Sequence, residues 1–568
     1  MKRDLAQLAR NEHDVLVIGA GIYGACVAWD AALRGLSVAL VDKGDFGNAT
    51  SANSLKTIHG GLRYLQDVNP RLMRTMARER TTWMRIAPHT VHPLPCLTPT
   101  YEKFSRSRTT FAAALLINDL ISYGRNQIAD TQKHIPGGRT ISRTECLELL
   151  PGLAADGVTG GAIWYDAQIY NSERLLLSLI LSAAQAGAGM ANYVEVIGFL
   201  GNDMSVTGVK ARDVLSGQEF EIQAKLVINS SGAWVDSVVG SLNGHSLTPK
   251  FHPSIALNLV TRQILPEYGV GVTSRYIGRD RHGKPTPRSR MLFIVPWRQY
   301  SIVGTIHTPY AGQPDEFRVR EEVVEDFVDE VNTAYPGAML TSQDVYHLHR
   351  GFLPMIQDNG QTDLVKLVRQ TQVCDHERDD GIQGLITVVG VKYTTARKIA
   401  QDVVDLAVEK LGRKAFPCRT HEVPIQGGQI SQFNDFLVQA IEQRPFGLGP
   451  DVIRHLVYNY GSEYHKILKY LDQEPAWGHT IADGTLILQA EVVHAIREEM
   501  AQKLADVVQR RTELGAVGLP EDAKLRVCAD LMAAELGWDQ ARREQELDDV
   551  RAAYAVPPAL IKDQTGAS

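Results

Sequence analysis

The sequence predicts an α/β fold of the Rossmann type, with an inserted antiparallel β domain and an all-α C-terminal domain. Residues 14–42 carry an apolar strand, a glycine-rich turn, a helix and a second strand, in that order. Residues 251–310 alternate apolar and polar side chains as antiparallel strands do. Residues 430–555 show helical periodicity almost throughout. The β-rich middle interrupts a Rossmann frame, which predicts a domain inserted into it.

The first unit has the features of a dinucleotide-binding turn. The apolar run 15–18 predicts a strand buried on both faces. Gly19, Gly21 and Gly24 follow as G-x-G-x-x-G, which suits a tight turn, a close approach to a pyrophosphate, and packing of the helix on the strand. Asp42 ends the second strand, where a carboxylate accepts both hydroxyls of an adenosine ribose. We therefore predict binding of a nucleotide cofactor without a 2′-phosphate.

Length and composition argue against several classes of protein. With 568 residues the chain exceeds one ordinary core, so we expect two or more domains. A charged fraction of 22% and a net charge of −6 give no support for nucleic-acid binding. The first twelve residues lack the apolar core of a secretory signal, and no apolar run has the length of a spanning helix. Six scattered cysteines without C-x-x-C spacing argue against a zinc site and predict a cytoplasmic protein without a metal.

The domain division follows the change in periodicity along the chain. We predict a first region at 1–417, with a substrate domain at roughly 80–150 and 240–380, and a helical C-terminal domain at 418–568. Within the first region the predicted elements include strands at 291–297, 301–305 and 385–389 and a helix at 394–411. Helices are predicted in the second region at 452–458, 464–471, 491–510 and 524–536.

Five segments resemble signatures of one enzyme family. They are TSANSLKTIHGGLRYL (50–65), INSSGAWV (228–235), the stretch 293–305, GVKYTTAR (390–397), and the helical run 491–537. In this order they are similar to flavin-dependent glycerol-3-phosphate dehydrogenases and α-glycerophosphate oxidases. The resemblance implies an FAD-binding Rossmann-type fold and oxidation of a secondary alcohol, with hydride passing to flavin N5. It also implies that FAD is held without a covalent bond.

The resemblance implies roles for individual residues. Lys392 is implied as a cation beside the flavin, together with a helix N-terminus. Arg63 and Tyr64 match residues that line the family's substrate pocket, and an arginine fork suits a phosphate or carboxylate. The residues expected to bind FAD, from the turn and the resemblance together, are Gly19, Gly21, Gly24, Asp42, Lys43, Thr50, Ser51, Ser54, Lys56, His59, Gly232, Gly390, Lys392, Thr394 and Thr395.

The substrate pocket departs from the family pattern at two positions. Asn258 stands where the family has a histidine that bonds the reacting hydroxyl, and an asparagine cannot act as a general base near neutral pH. Leu353 stands where the family has a phosphate-binding arginine, with Arg350 three residues earlier as a substitute. The family's G-T-T-D is altered to 304–307, which ends in a histidine. These changes predict weak turnover of glycerol 3-phosphate and better activity on an altered ligand.

Replacement bases are available among the histidines of this region. His307, His347 and His349 are the candidates, each with a structural role as its alternative. The expected catalytic set is Arg63, Lys392, Asn258, His307 and Arg350.

The resemblance leaves several functional alternatives open. Glycerol 3-phosphate is the first candidate substrate, and a related polyol phosphate or hydroxy acid is the next. An FAD-dependent amine or amino-acid oxidase of the same fold and a non-catalytic flavin-binding partner protein are the competing classes. The electron acceptor is either a quinone or oxygen. The helix pattern at 104–125 suits either an anionic membrane surface, on the inner face of the cytoplasmic membrane, or a cover for the substrate domain. A homodimer is a further open alternative.

Overall fold

Two β-sheets, the helices that pack on them and a set of C-terminal helices make up the described part of the chain. The structure is a computed structural model that describes residues 1–62, 69–242, 251–279, 284–356 and 365–555. The strands are β1 Glu12–Ile18, β2 Val38–Val41, β3 Thr57–Ile58, β4 Val91–Tyr101, β5 Arg139–Ile141, β6 Val158–Ile169, β7 Gly189–Ala191, β8 Val194–Asn202, β9 Ser205–Asp213, β10 Glu219–Asn229, β11 Pro253–Arg262, β12 Gly269–Arg279, β13 Pro285–Trp297, β14 Tyr300–Pro309, β15 Val345–Pro354, β16 Gln372–Asp375 and β17 Leu385–Val389.

The helices cover both faces of the first sheet and make up the C-terminal region. They are α1 Leu5–Arg10, α2 Ile22–Leu33, α3 Pro70–Ile86, α4 Arg108–Ile121, α5 Arg143–Leu149, α6 Ser172–Gln185, α7 Val235–Val239, α8 Glu321–Ala334, α9 His376–Asp380, α10 Ala396–Leu411, α11 Phe433–Gln443, α12 Pro450–Tyr460, α13 Tyr464–Gln473, α14 Gln489–Glu499, α15 Leu504–Asp506, α16 Asp522–Leu536 and α17 Gln540–Tyr554.

The first sheet is the Rossmann sheet that the sequence predicts. In the described ranges its strands follow the order β16-β17-β10-β1-β2-β7, and β1 pairs in parallel with both β2 and β10. The central strand β1 is buried along almost its whole length, as its apolar run predicts. Helices α2, α6 and α10 pack on one face of this sheet in a single apolar core. The parallel strands end at one edge, which places the glycine turn after β1 at the carboxyl end of the sheet.

The second sheet is separate from the first and largely antiparallel. Its order among the described strands is β15-β11-β14-β13-β12-β4-β6-β3, with β5 paired to β6. Helix α8 packs on this sheet in a second apolar core. The inserted antiparallel β domain of the prediction is confirmed. Strand β6, which follows residue 150, pairs along its length with β4, and the predicted limits of the domain stay predictions. The boundary expected after residue 417 stays a prediction.

The C-terminal helices differ from the sequence expectation at one point. The pattern at 491–510 predicts one continuous helix, whereas α14 ends at Glu499 and Met500 adopts a left-handed conformation with φ of +56°. A short helix, α15, and one π-helical turn at Val507–Arg511 follow the break. The break turns Arg510 and Arg511 back towards the first sheet, where both meet a buried carboxylate.

That carboxylate belongs to Asp45, in the loop after β2. Asp45 is fully buried and accepts hydrogen bonds from Arg510 Nε at 2.5 Å and from Arg511 Nη1 at 2.6 Å and Nη2 at 2.7 Å. A second buried pair joins Arg174 of α6 to Glu499, with both carboxylate oxygens 2.8 Å from Nη1. Buried charges are tolerated only when paired, so these two pairs fix the C-terminal helices against the Rossmann layer.

Glu499→Gln tests this docking through acid stability. Arg174 holds the pKa of Glu499 at about 2 against desolvation, so the carboxylate stabilises the fold fully above its ordinary value of 4.5. That stability is lost as pH falls from about 4.5 to about 2. We expect the wild-type melting temperature to fall across this window. At pH 7, Glu499→Gln should have a lower melting temperature than the wild type and lose about 3–5 kcal/mol of unfolding free energy, because it leaves Arg174 unpaired.

Glu498→Gln is the matched control, since the neighbouring Glu498 side chain is 56% exposed. It should behave as the wild type at both ends of the pH range. Thermal melts monitored by circular dichroism measure these effects. If the melting temperatures of wild type and Glu499→Gln fall equally with pH, the assignment is wrong.

Candidate functional site

One large cavity lies where the two sheets and the C-terminal helices meet. Its volume is about 1260 Å³, larger than the several hundred Å³ typical of a drug-sized ligand pocket. Its wall includes the glycine turn after β1, Asp42, and Gly232 after β10 at one end. At the other end it includes Asn258, Thr305 and His349 of the second sheet. A single extended ligand can therefore span from the Rossmann sheet to the antiparallel sheet.

The three glycines of the turn are required for different reasons. Gly19 has a φ of +94°, and a Cβ there would lie 2.8 Å from the carbonyl oxygen of Ser230. A Cβ on Gly24 would lie 1.9 Å from the Gly19 carbonyl oxygen, so this glycine lets α2 pack against β1. At Gly21 a Cβ would contact Ser51 Oγ at 3.2 Å and no other described atom within 4 Å. The protein itself demands Gly19 and Gly24, whereas Gly21 keeps the cavity wall open.

The N-terminus of α2 forms part of the same wall. Gly21, Ile22 and Tyr23 line the cavity, and the Ile22 N–H donates to Ser51 Oγ at 2.9 Å. The first turn of a helix carries unsatisfied N–H groups and the positive end of the helix dipole. This end of the cavity is therefore suited to a phosphate group.

Asp42 and Lys43 lie at the outer end of the cavity. Asp42 accepts from the Ala20 N–H at 2.6 Å and from the Gly44 N–H at 2.9 Å, one bond to each oxygen. Burial raises the pKa of Asp42 to about 6, against the lowering effect of these two bonds. Hydroxyl donors of a ribose would offset that desolvation. Lys43 instead donates to Asp315 at 2.7 Å, so its ammonium contacts the segment between β14 and α8.

The loop after Asp45 is tied to the second sheet. Thr50 Oγ1 accepts from the Phe352 N–H at 2.9 Å, and the Ser54 carbonyl faces His349 Nδ1 at 3.1 Å. Thr50, Ser51 and Ser54 all line the cavity, as expected. The loop therefore connects the Rossmann turn with β15 through these and further polar contacts, among them the Arg350 N–H donating to Asn53 Oδ1 at 3.2 Å.

Lys56, which we expected to bind FAD, lies behind the cavity wall. Its side chain is 1% exposed, and the ammonium donates to Ser172 Oγ at 2.7 Å and to both Glu173 oxygens at 2.9 Å. Lys56 does not form part of the cavity wall. The reason is electrostatic, because a buried ammonium needs a carboxylate partner and Glu173 supplies it. Lys56 holds the loop in place through these contacts, and its role in FAD binding stays a prediction.

His59, Thr394 and Thr395 also lie behind the wall instead of on it. The His59 N–H donates to Thr394 Oγ1 at 3.1 Å, and His59 Nδ1 lies 2.9 Å from Asp166 Oδ2. Thr394 and Thr395 are both buried beside the start of α10. These residues do not line the cavity themselves but contact residues that form its wall.

Gly390 and Lys392 lie on the wall itself. The Tyr23 hydroxyl donates to the Lys392 carbonyl at 2.8 Å and accepts from the Val391 and Lys392 N–H groups. A Cβ on Gly390 would lie 2.3 Å from the Tyr23 ring. This packing fixes the backbone that carries Lys392, whose ammonium donates to the Arg369 carbonyl.

The antiparallel sheet supplies an asparagine and a histidine to the cavity. Asn258 on β11 accepts from the Thr305 hydroxyl at 2.7 Å. Asn258 and His349 are register partners on neighbouring strands, and both are almost fully buried. His307 lies outside the cavity wall, so it is not brought to this group. Arg63 and Tyr64 lie outside the described residues.

Arg350 and Leu353 both line the cavity. The Arg350 guanidinium donates to the Ala553 carbonyl at 3.3 Å, at the C-terminus of α17. Burial and the nearby charge of Arg318 lower the pKa of Arg350. Arg318 lines the cavity as well. Within the described ranges Arg350 has no carboxylate partner, so it is available to an anionic ligand.

Sequence reasoning missed the contribution of the C-terminal helices. Gln509, Arg510, Ala516 and Tyr554 line the same cavity as the glycine turn. The available signal was the Arg510–Arg511 pair at the end of an apolar helical pattern, where a solvated face is the usual reading. The buried carboxylate of Asp45, some 465 residues away along the chain, is a partner of that pair that spacing does not reveal.

Two protein-family profiles match this chain. The profile described as FAD dependent oxidoreductase matches residues 14–404, and the C-terminal domain of alpha-glycerophosphate oxidase matches residues 418–543. The glycerol-3-phosphate dehydrogenase of Synechocystis sp. is 31% identical over 553 residues, which are 96% of this chain and 97% of that protein. The mitochondrial glycerol-3-phosphate dehydrogenase of Mus musculus is 32% identical over 558 residues, 94% of this chain and 72% of that protein.

A solved structure has the same fold. The glycerol-3-phosphate dehydrogenase from Bacillus halodurans complexed with FAD superposes with a TM-score of 0.75 at 24% sequence identity. The superposition covers 98% of this chain and 97% of that one. The mixed sheets and the helical C-terminal region therefore form one shared architecture.

Gly21→Ala and Gly24→Ala separate cofactor binding from folding. Gly21→Ala should fold normally, because its Cβ would contact the protein only at Ser51 Oγ, but should weaken FAD binding by about fivefold to 150-fold through a clash of about 1–3 kcal/mol. Gly24→Ala should fail to fold, since its Cβ would overlap the Gly19 carbonyl. FAD titration and thermal melts of the FAD-free proteins measure both effects. Unchanged FAD affinity in Gly21→Ala would show that the cofactor lies elsewhere.

Proposed function

Because the chain belongs to the FAD-dependent oxidoreductase family that includes the glycerol-3-phosphate dehydrogenases, we propose that it oxidises sn-glycerol 3-phosphate to dihydroxyacetone phosphate. The observation that carries the proposal is a cavity whose wall joins a dinucleotide turn to Arg350, which has no carboxylate partner among the described residues. FAD as cofactor, the oxidoreductase class and the resemblance found in the sequence are confirmed by the family match.

The residues of the turn fit an FAD molecule. The open wall at Gly21 and the N-terminus of α2 would hold the pyrophosphate, and Asp42 would hold the adenosine ribose. When bound, FAD supplies the acceptor for the hydride that leaves the substrate carbon. Lys392 places a cation on the wall, and its backbone is fixed by Tyr23. These residues bind and orient the cofactor.

Arg350 is our candidate for the phosphate-binding residue. Its guanidinium has five N–H donors, and within the described ranges it makes one hydrogen bond, to the Ala553 carbonyl. A desolvated phosphate needs a cation, and the position that supplies it in the family is Leu353 here. Arg318 adds a second positive charge to the same cavity. Together these two arginines would compensate a phosphate dianion on the side of the cavity next to β15.

The altered pocket keeps the alternative substrates as predictions. A related polyol phosphate or a hydroxy acid would also satisfy Arg350, because a carboxylate makes the same bidentate contact. Anaerobic addition of each compound to the FAD-loaded protein separates the cases through loss of flavin absorbance. Reduction by glycerol 3-phosphate supports the proposal. Reduction by an amine or amino acid alone, or by no compound tested, would overturn it.

Arg350→Lys keeps the charge but loses the planar fork. We expect it to raise KM for glycerol 3-phosphate by roughly 10-fold or more, since bonds to charged groups contribute about 1.5–3 kcal/mol. Arg350→Ala should raise KM further, with a smaller effect on kcat. Steady-state kinetics measure both. Arg320→Lys is the matched control, because Arg320 is exposed and lies off the cavity wall. Wild-type KM in Arg350→Ala would place the phosphate elsewhere.

Helix α4 supports peripheral contact with an anionic membrane, where a quinone would be the electron acceptor. Its exposed face carries large apolar side chains at i, i+1 and i+4 spacing: Leu116, Ile117 and Leu120, at 63%, 44% and 68% exposure. Exposed Phe104 and Tyr123 flank the helix. Among the described residues, no helix combines the length and the apolar character needed to cross a bilayer. The homodimer stays a prediction.

Leu116→Glu with Leu120→Glu tests the membrane contact. We expect the wild type to sediment with vesicles of mixed anionic and zwitterionic lipid, and the double variant to stay largely in the supernatant. Ile277→Glu is the control, because Ile277 is equally exposed at 69% but lies on β12. Equal sedimentation of all three proteins would contradict a role for α4 and leave oxygen as the favoured acceptor.

A further inference from the structure

Asn258 and His349 present their side chains to the cavity from adjacent strands. In the antiparallel pairing of β11 with β15, Asn258 lies directly opposite His349. Residues paired in this way project on the same face of a sheet, with Cβ atoms about 4.5–5.5 Å apart. Both side chains line the cavity, although they are only 2% and 3% exposed. They can therefore contact the same small group of a bound ligand.

The hydrogen bond at His349 Nδ1 determines what its other nitrogen can do. Nδ1 lies 3.1 Å from the Ser54 carbonyl oxygen, which can only accept, so Nδ1 carries the proton. Nε2 is then a lone-pair acceptor, and among the described residues no donor bonds to it. Burial lowers the pKa of His349 well below its ordinary value, with smaller contributions from Lys56 and His347. The imidazole is therefore neutral at pH 7, as a general base must be.

The hydrogen bond at Asn258 orients its amide in a complementary way. Its Oδ1 accepts from the Thr305 hydroxyl at 2.7 Å, which leaves the Nδ2 donors for the cavity. Gly304 makes this orientation possible, since a Cβ there would lie 2.0 Å from Asn258 Oδ1. In the described part of the chain, no acceptor bonds to Asn258 Nδ2. The pair thus offers one donor and one acceptor to the same ligand atom.

We propose that Asn258 and His349 divide between them the work of a single catalytic histidine in the oxidation of a secondary alcohol. Asn258 Nδ2 donates to the substrate hydroxyl oxygen, and that hydroxyl donates its proton to His349 Nε2. The carbon–hydrogen bond breaks as hydride leaves for FAD, the oxygen–hydrogen bond breaks as the proton moves to His349, and the carbon–oxygen double bond forms. His349 later releases this proton to solvent. The inference rests on the proposed function, which supplies the alcohol and the two-electron acceptor.

The other candidate bases fit this role less well. His347 also lines the cavity, but its ring packs against Tyr554 at 5.2 Å between centroids, towards the C-terminal helix. His307 lies off the wall. The ammonium of Lys392 already donates to the Arg369 carbonyl. Of these groups, His349 alone combines an orienting bond to the cofactor loop with a register position opposite Asn258.

His349→Gln tests the proton transfer. Glutamine retains hydrogen-bonding capacity but cannot take up a proton, so flavin reduction by glycerol 3-phosphate in an anaerobic stopped flow should slow by about 10²–10⁴-fold. FAD affinity and melting temperature should stay close to the wild-type values. His347→Gln is the matched control, two register pairs away on the same strand, and should slow reduction far less. If the role of His349 is only structural, the flavin of His349→Gln should be reduced at close to the wild-type rate.

A binding measurement tests the pair without turnover. In dithionite-reduced holoenzyme, glycerol 3-phosphate should bind more tightly than 3-hydroxypropyl phosphate, which lacks the central hydroxyl, by about 5-fold to 100-fold. Asn258→Ala and His349→Phe should each remove most of this preference, and His349→Phe retains the ring that packs on Trp297. The proposed pair is wrong if glycerol 3-phosphate reduces the wild type and His349→Gln at the same rate, or if both binding variants keep the wild-type preference. Either outcome leaves the proposed function standing. Absence of reduction in the wild type overturns the proposed function and the pair with it.

Discussion

The buried carboxylate of Asp45 is the contact on which the site depends. It lies in the loop between the Rossmann strand β2 and the cavity wall, and both Arg510 and Arg511 donate to it from the C-terminal helices. Asp506 accepts from Arg510 at 2.7 Å and from the Tyr193 hydroxyl, which completes the network. Loss of the Asp45 carboxylate would remove the acceptor that both arginines share in a dry interior, at a cost of about 3–5 kcal/mol. The loop that carries the cofactor wall and the helices that close the cavity are therefore held as one unit.

Two pairs of buried polar residues show how a structural role differs from a candidate functional one. Lys56 and Arg174 have their charges met by Glu173 and Glu499, and these pairs support the architecture. Asn258 and His349 each bond one polar atom to the protein and, as far as the described residues go, leave another open to the cavity. A half-satisfied polar group is costly in an interior unless a ligand completes it. The open atoms of Asn258 and His349 matter because they face the cavity, where a ligand can complete them.

The departures from the family pattern need not remove the chemistry. Asparagine at 258 loses the base, but the neighbouring strand places an oriented histidine at the paired position. Leucine at 353 loses the cation, but Arg350 on the same strand reaches the same cavity. A sheet makes such exchanges possible because adjacent strands carry side chains to one face at spacings of about 5 Å. A role can therefore move between positions while the ligand stays where it was.

The sequence by itself determined the local features of the fold. The apolar run of β1, the three glycines and Asp42 predict the Rossmann turn, because strand burial, positive φ and close packing are set by neighbouring residues. Periodicity also predicted the helical C-terminal region, although not its break at Met500. Only the tertiary structure decided which charged residues are structural, such as Lys56, and which cations line the cavity, such as Arg350. The reason is that these roles depend on partners hundreds of residues apart, and neither composition nor spacing records which distant groups are brought together and desolvated.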